Sequence, residues 1–96
     1  MRHTTAVVGD SRDAVAHTWA TFEASLRNAA KRMTGDSDEQ KDLLQEALTE
    51  LWLTDPTRFD LRDRGERRYL RRVLVNKMLR VWDAERGYER VHHATR

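Results

Sequence analysis

Cysteine is absent from this chain of 96 residues, which excludes disulfides and thiolate metal sites. Proline occurs once and glycine four times, and no stretch alternates polar with apolar residues for long, so the material for strands and tight turns is scarce. No apolar run approaches the roughly twenty residues that span a bilayer. The N-terminus also lacks the apolar core of a signal peptide, and by elimination the protein is read as cytoplasmic. No glycine-rich phosphate loop, nucleophile elbow or HExxH pattern occurs. Glu46 and Glu50 share a helix face by spacing, but exposed acidic pairs of this kind are solvated far more often than catalytic. His3, His17, His92 and His93 lie toward the two ends, and none pairs with a carboxylate at metal-binding spacing. The chain is therefore not read as an enzyme, and no catalytic residue, metal site or cofactor is assigned.

What remains is dominated by Ala, Leu, Arg and Glu, all helix formers. A single all-α domain follows, a compact bundle of three to four helices with a real but modest core. Residues 1–12 read as a flexible leader with a Gly-Asp-Ser turn signal, residues 13–90 as the helical domain and residues 91–96 as a tail. The net charge of +2 hides an asymmetry: residues 1–60 hold seven Lys/Arg against eleven Asp/Glu, whereas residues 61–96 hold eleven against five. An acidic front and a basic rear favour two different partners, and the basic end favours a polyanion, most simply nucleic acid.

The first helix is expected over Asp13–Thr34, with Val15, Trp19, Phe22, Leu26, Ala29 or Ala30 and Met33 as its core stripe and Gly35 as its C-terminal cap. Ser37 and Gln40 have the form of a capping box opening the second helix. Leu43, Leu44, Ala47, Leu48, Leu51 and Trp52 form its apolar face. Between Asp36 and Asp55 stand seven acids and one base, read either as a solubilising face or as a docking surface for a basic protein. Asp55-Pro56 ends that helix. Thr57–Asp63 is a connector with Phe59 tucked beneath it.

The third helix is expected from Arg64 or Glu66 to about Glu85, with Gly87 as its stop. Leu70, Val73, Leu74 and Val81 mark its apolar stripe. Arg68, Arg72, Asn76 and Arg80 stand four apart along another face. Tyr69 and Trp82 border the stripe near its start and end. This face is either a solvated surface or one that meets phosphates and exposed bases, and Trp82 is either core or ligand-facing.

Two segments carry a family resemblance: Asp42-Leu43-Leu44-Gln45-Glu46-Ala47 and Tyr69-Leu70-Arg71-Arg72-Val73-Leu74-Val75-Asn76. In that order, and at this separation, they resemble region 2 of the extracytoplasmic-function (ECF) sigma factors, small members of the sigma-70 family of RNA polymerase initiation subunits. The resemblance covers about residues 20–90. It implies that the second helix packs on the clamp helices of the polymerase β′ subunit through Asp42, Gln45, Glu46 and Glu50, with Leu44 and Leu48 supplying apolar area. It further implies that the third helix melts and reads the promoter −10 element. Arg68, Arg71, Arg72, Lys77 and Arg80 would then serve the phosphates of the non-template strand. Tyr69 and Trp82 would stack or wedge, and Asn76 would hydrogen-bond a flipped base or brace the loop that holds it. The segment Asp83–Arg90, with Arg86 on it, would set −10 specificity.

The family usually has Trp where this chain has Tyr69, so melting is expected to be weaker or differently shaped. Family members also carry a second helical domain, region 4, that reads the −35 element. Met1 and the leader are read as an intact start, and the far end is read as either an excised domain or a single-domain sigma-like protein. Core RNA polymerase and promoter DNA are the implied partners, and the resemblance leaves room for an anti-sigma factor. Two alternatives stay open: a sigma-like regulator that docks on polymerase without supporting initiation, and a stand-alone nucleic-acid-binding helical module.

Overall fold

A computed structural model builds the chain from three helices, α1 (Arg2–Met33), α2 (Ser37–Thr54) and α3 (Arg64–Ala94), with a short 3₁₀ turn at Pro56–Arg58 between the last two. It describes the backbone of residues 2–94 and the side chains of residues 12–85. No strand occurs among the described residues, so the fold is all-α as the composition implies.

The long helices overrun their expected ends. The helical backbone of α1 begins at Arg2 rather than Asp13. That of α3 passes Gly87 and continues to Ala94 rather than stopping near Glu85. Once a helix is nucleated, each added residue costs little, and one interior glycine costs only about 1 kcal/mol relative to alanine. A glycine stops a helix when it takes a left-handed conformation, and none of the described glycines does. Gly35 therefore does not provide the left-handed cap expected of it.

Side-chain caps turn the corners instead. At the α1–α2 junction, the Thr34 hydroxyl donates to Glu39 Oε1 at 2.8 Å and Gln40 Nε2 donates to the Thr34 carbonyl at 2.9 Å. The N-cap of α2 is Asp36, not Ser37: its Oδ1 accepts from the backbone N–H groups of Asp38 at 2.8 Å and Glu39 at 3.0 Å. The shorter carboxylate arm in extended backbone answers two of the free N–H groups at once, and its charge suits the positive helix end. The α1–α2 link is so short that the helices form an antiparallel hairpin, and α1 accordingly touches the 3₁₀ turn that follows the far end of α2.

Asp55 ends α2 in the left-handed conformation, φ 60°, the only described non-glycine residue with positive φ. Its carboxylate accepts from the Thr57 N–H at 3.2 Å and from the Thr57 hydroxyl, opening the 3₁₀ turn. Asp60 then accepts from the N–H and the side chain of Arg62. The Arg62 backbone N–H, and after it the Arg62 side chain, hold the Asp60 carboxyl below the usual carboxylate range. A depressed carboxylate contributes stability that is present at neutral pH and lost as the pH falls through its lowered pKa. Asp63 Oδ2 accepts from the Glu66 N–H at 2.9 Å and starts α3, while Arg67 donates to the Leu61 carbonyl at 2.9 Å and ties that start to the connector.

The core joins Val15, Phe22, Leu26, Ala29 and Ala30 of α1 to Leu43, Ala47 and Leu51 of α2 and to Leu70, Leu74 and Met78 of α3, none more than 5% exposed. The α3 seam runs at strict four-residue steps, so Met78 is fully buried while Val73 and Val81 sit half-buried on its flanks. Trp19 is half-buried rather than central. Trp52 is not part of the apolar face at all: it is 48% exposed, and Leu53 beside it is 75% exposed. The seam of α2 closes on the small Ala47, which draws the helices together along residues 43, 47 and 51 and leaves position 52 turned outward.

Asp55 supplies the test of this account. Replacement by alanine loses the cap while keeping a Cβ at positive φ, so Asp55→Ala should lower the free energy of unfolding by about 1–2 kcal/mol. Asp55→Gly should lower it less, because glycine adopts this conformation freely. Urea denaturation of the three proteins measures the order.

Candidate functional site

Burial of Leu70, Leu74 and Met78 fixes the rotation of α3 and thereby decides which of its side chains face out. Arg68, Arg72, Asn76 and Arg80 are all exposed. Arg68, Arg71, Arg72, Val75 and Asn76 line a shallow groove of about 280 Å³. Arg71 differs from its neighbours: it is half-buried, and its Nε donates to the Ser25 hydroxyl of α1. Lys77 is half-buried on the far flank.

Tyr69 is 55% exposed. Its ring lies nearly parallel to that of Phe59, centroids 6.0 Å apart and planes 27° apart. Phe59 is half-buried and packs against the core. One aromatic from the connector therefore braces another that stands in solvent. Trp82 is half-buried and packs on the same core. The Arg86 side chain lies outside the described residues.

On α2, the buried seam of Leu43, Ala47 and Leu51 turns Asp42, Gln45 and Thr49 into solvent, with Glu46 and Glu50 half-exposed beside them. Leu44 and Leu48 are half-buried and share a groove of about 400 Å³ with Gln45, Lys41, Arg27 and Trp19. Trp19, expected in the core, is thus part of a surface groove, and α1 contributes to a face that the sequence assigns to α2 alone. Trp52 and Leu53 extend the exposed apolar area toward the C-terminal end of α2.

The charges are unbalanced locally. Ion pairs among the described residues join Glu23 to Arg27 and Asp60 to Arg62. Both are exposed, and such pairs contribute little. Asp42 and Glu46 on one face, and Arg68, Arg72 and Arg80 on the other, form no ion pair among the described residues. Like charges four apart on a helix cost about 0.2–0.5 kcal/mol per pair. An unneutralised row spaced this way on α3 thus does nothing for the helix itself. No group of His, Asp or Glu among the described residues could hold a metal ion. The arrangement offers cations, a flat ring and an amide on one face, and carboxylates with apolar area on another.

The structure therefore brings Arg68, Arg71, Arg72 and Asn76 together and sets Tyr69 one position from Arg68, while Arg80 continues the row beyond the groove. Reasoning from sequence missed Ser25, Val75 and the bracing role of Phe59. Nothing local marks Ser25, whose partner stands 46 residues away. Residues 18–88 match the family model described as Sigma-70 region 2. No curated protein and no solved structure matches the chain.

Stability separates a face held for the fold from one free for a partner. Arg68→Ala, Arg72→Ala and Asn76→Ala should each change the unfolding free energy by less than about 0.5 kcal/mol. Leu74→Ala on the opposite side of the same helix should cost about 2–5 kcal/mol. Thermal or urea unfolding of these variants checks the contrast.

Proposed function

The chain belongs to the sigma-70 region 2 family, and from that premise we propose that it is a transcription-initiation domain that docks on core RNA polymerase through α2 and captures the non-template strand of the −10 element on α3. Region 2 of this family in general binds RNA polymerase and recognises the −10 element, without enzymatic chemistry. The finer assignment is ours: an ECF-type member, working in the cytoplasm beside polymerase, with an anti-sigma factor as a further candidate partner.

The observation that carries this reading is the exposed, unpaired row Arg68, Arg72 and Asn76 on a groove next to a braced, exposed Tyr69. A melted strand offers phosphates to the arginines, a base face to the tyrosine and a base edge to the asparagine. Strand separation needs no covalent step. Each base lost from the duplex stack is offset by capture, and a base stacked on an aromatic ring contributes about 1–3 kcal/mol. Arg80 continues the basic row along the helix; Lys77, from the flank, and Arg86 are further candidates for phosphate contact, and Trp82 is a candidate to stack or wedge at the far end.

On α2, Asp42, Gln45, Glu46 and Glu50 match an arginine-rich helical partner, and Leu44 and Leu48 give the contact its apolar part. The acidic and basic faces divide the work. Docking on polymerase holds the domain against the promoter, and the arginine row then meets a strand already near it.

Core polymerase should co-purify with the chain, and Glu46→Lys should abolish that binding. Arg72→Ala combined with Asn76→Ala should leave polymerase binding intact while lowering capture of a pre-melted −10 template about tenfold or more. The logarithm of the binding constant should fall with the logarithm of salt concentration with a slope of about −0.7 per phosphate contact. Failure of polymerase to co-purify overturns the docking half. Unchanged template capture by the double variant overturns the −10 half and leaves a docking regulator.

A further inference from the structure

We propose that Ser25 is a positioning residue of the α3 groove: its hydroxyl holds Arg71 as a rigid, fully charged phosphate clamp. The inference rests on the reading of this groove as the nucleic-acid face and adds to it a residue from a different helix.

The Arg71 Nε donates to Ser25 Oγ, a side-chain hydrogen bond that joins α3 to α1. Arg71 lines the groove between Arg68 and Arg72, yet it is half-buried where they are exposed. A guanidinium has five N–H donors in one plane. Engaging Nε fixes that plane and leaves the four hydrogens on the two Nη nitrogens, the edge that matches two phosphate oxygens. The rotamer freedom that a long side chain loses on binding has then been lost already in the free protein.

The identity of the anchor matters as much as its place. A carboxylate at position 25 would hold Arg71 equally well but would cancel its charge. Glu23 does this to Arg27 on the same helix, with a contact of 2.6 Å. A serine hydroxyl accepts the hydrogen bond and leaves the positive charge for the ligand. Arg71 is thereby the preset member of the cluster, and the exposed Arg68 and Arg72 close around a strand that it has registered.

Binding of a labelled oligothymidylate of about twelve nucleotides to the chain at several salt concentrations tests this, since phosphate contacts do not depend on base sequence. Ser25→Ala should weaken binding about three- to tenfold with the salt slope nearly unchanged, because the charge remains and only its positioning is lost. Ser25→Thr should restore the affinity. Ser25→Asp should reduce the slope by about 0.7, the value of one single-strand phosphate contact. On an Arg71→Ala background, Ser25→Ala should have no further effect.

Equal weakening by Ser25→Ala with and without Arg71, or a lowered melting temperature with unchanged binding, overturns the proposal. The paired variant Arg68→Ala with Arg72→Ala separates the two levels. If it leaves oligothymidylate binding unchanged, the nucleic-acid reading of the groove itself fails. If it weakens binding while Ser25→Ala does not, only the positioning role of Ser25 fails.

Discussion

Everything on the surface of this domain follows from how α3 is rotated. Leu70, Leu74 and Met78 are fully buried, each worth about 1.5–3 kcal/mol of burial, and no other rotation of the helix buries all three. With that seam closed against α1 and α2, the four-residue row from Arg68 to Arg80 has nowhere to go but outward. The hydrophobic effect has no preference for arginines in a line. It sets only the angle, and the row is what the sequence places at that angle. The same logic runs through α2, where Leu43, Ala47 and Leu51 turn Asp42 and Gln45 to solvent. One core thereby presents two faces of opposite charge on adjacent helices.

These faces are costly to the folded chain in isolation. Neither the acids of α2 nor the exposed arginines of α3 neutralise one another among the described residues. Stability must come from the core and from the side-chain caps at Asp36, Asp55 and Asp63. That division frees the surface for recognition. It also explains why the connector is so heavily tied: Asp55, Asp60, Arg67 and Phe59 hold a short segment whose position fixes both the start of α3 and the brace behind Tyr69.

Helix number, helix type and most of the core were legible in the sequence, because apolar residues at three- and four-residue steps leave few other solutions. The exposed row on α3 and the acids of α2 were legible for the same reason, since surface positions are the complement of the stripe. Helix ends were not. Gly87 read as a stop and the Gly-Asp-Ser segment as a turn within a leader, but propagation of an existing helix outweighs a single weak former. Trp19 and Trp52 read as core because they stand on the apolar stripes of their helices, yet the packed seams are narrower than those stripes and leave one half-buried and the other outside. Ser25 and the bracing role of Phe59 were invisible because each depends on a residue brought near only by folding, and no local pattern encodes that. The family resemblance on DLLQEA and YLRRVLVN, matched by the Sigma-70 region 2 model over residues 18–88, gave the faces their meaning.

The central claim is that the groove face of α3 is built to receive a melted strand. Nuclear magnetic resonance of the isotope-labelled chain, titrated with single-stranded DNA, reads that directly. The account predicts perturbation of the Arg68 and Arg72 guanidinium signals, the Asn76 side-chain amide and the Tyr69 ring, with the α2 acids unmoved. Perturbations confined to α1 and α2, or none at concentrations that saturate binding, would contradict it.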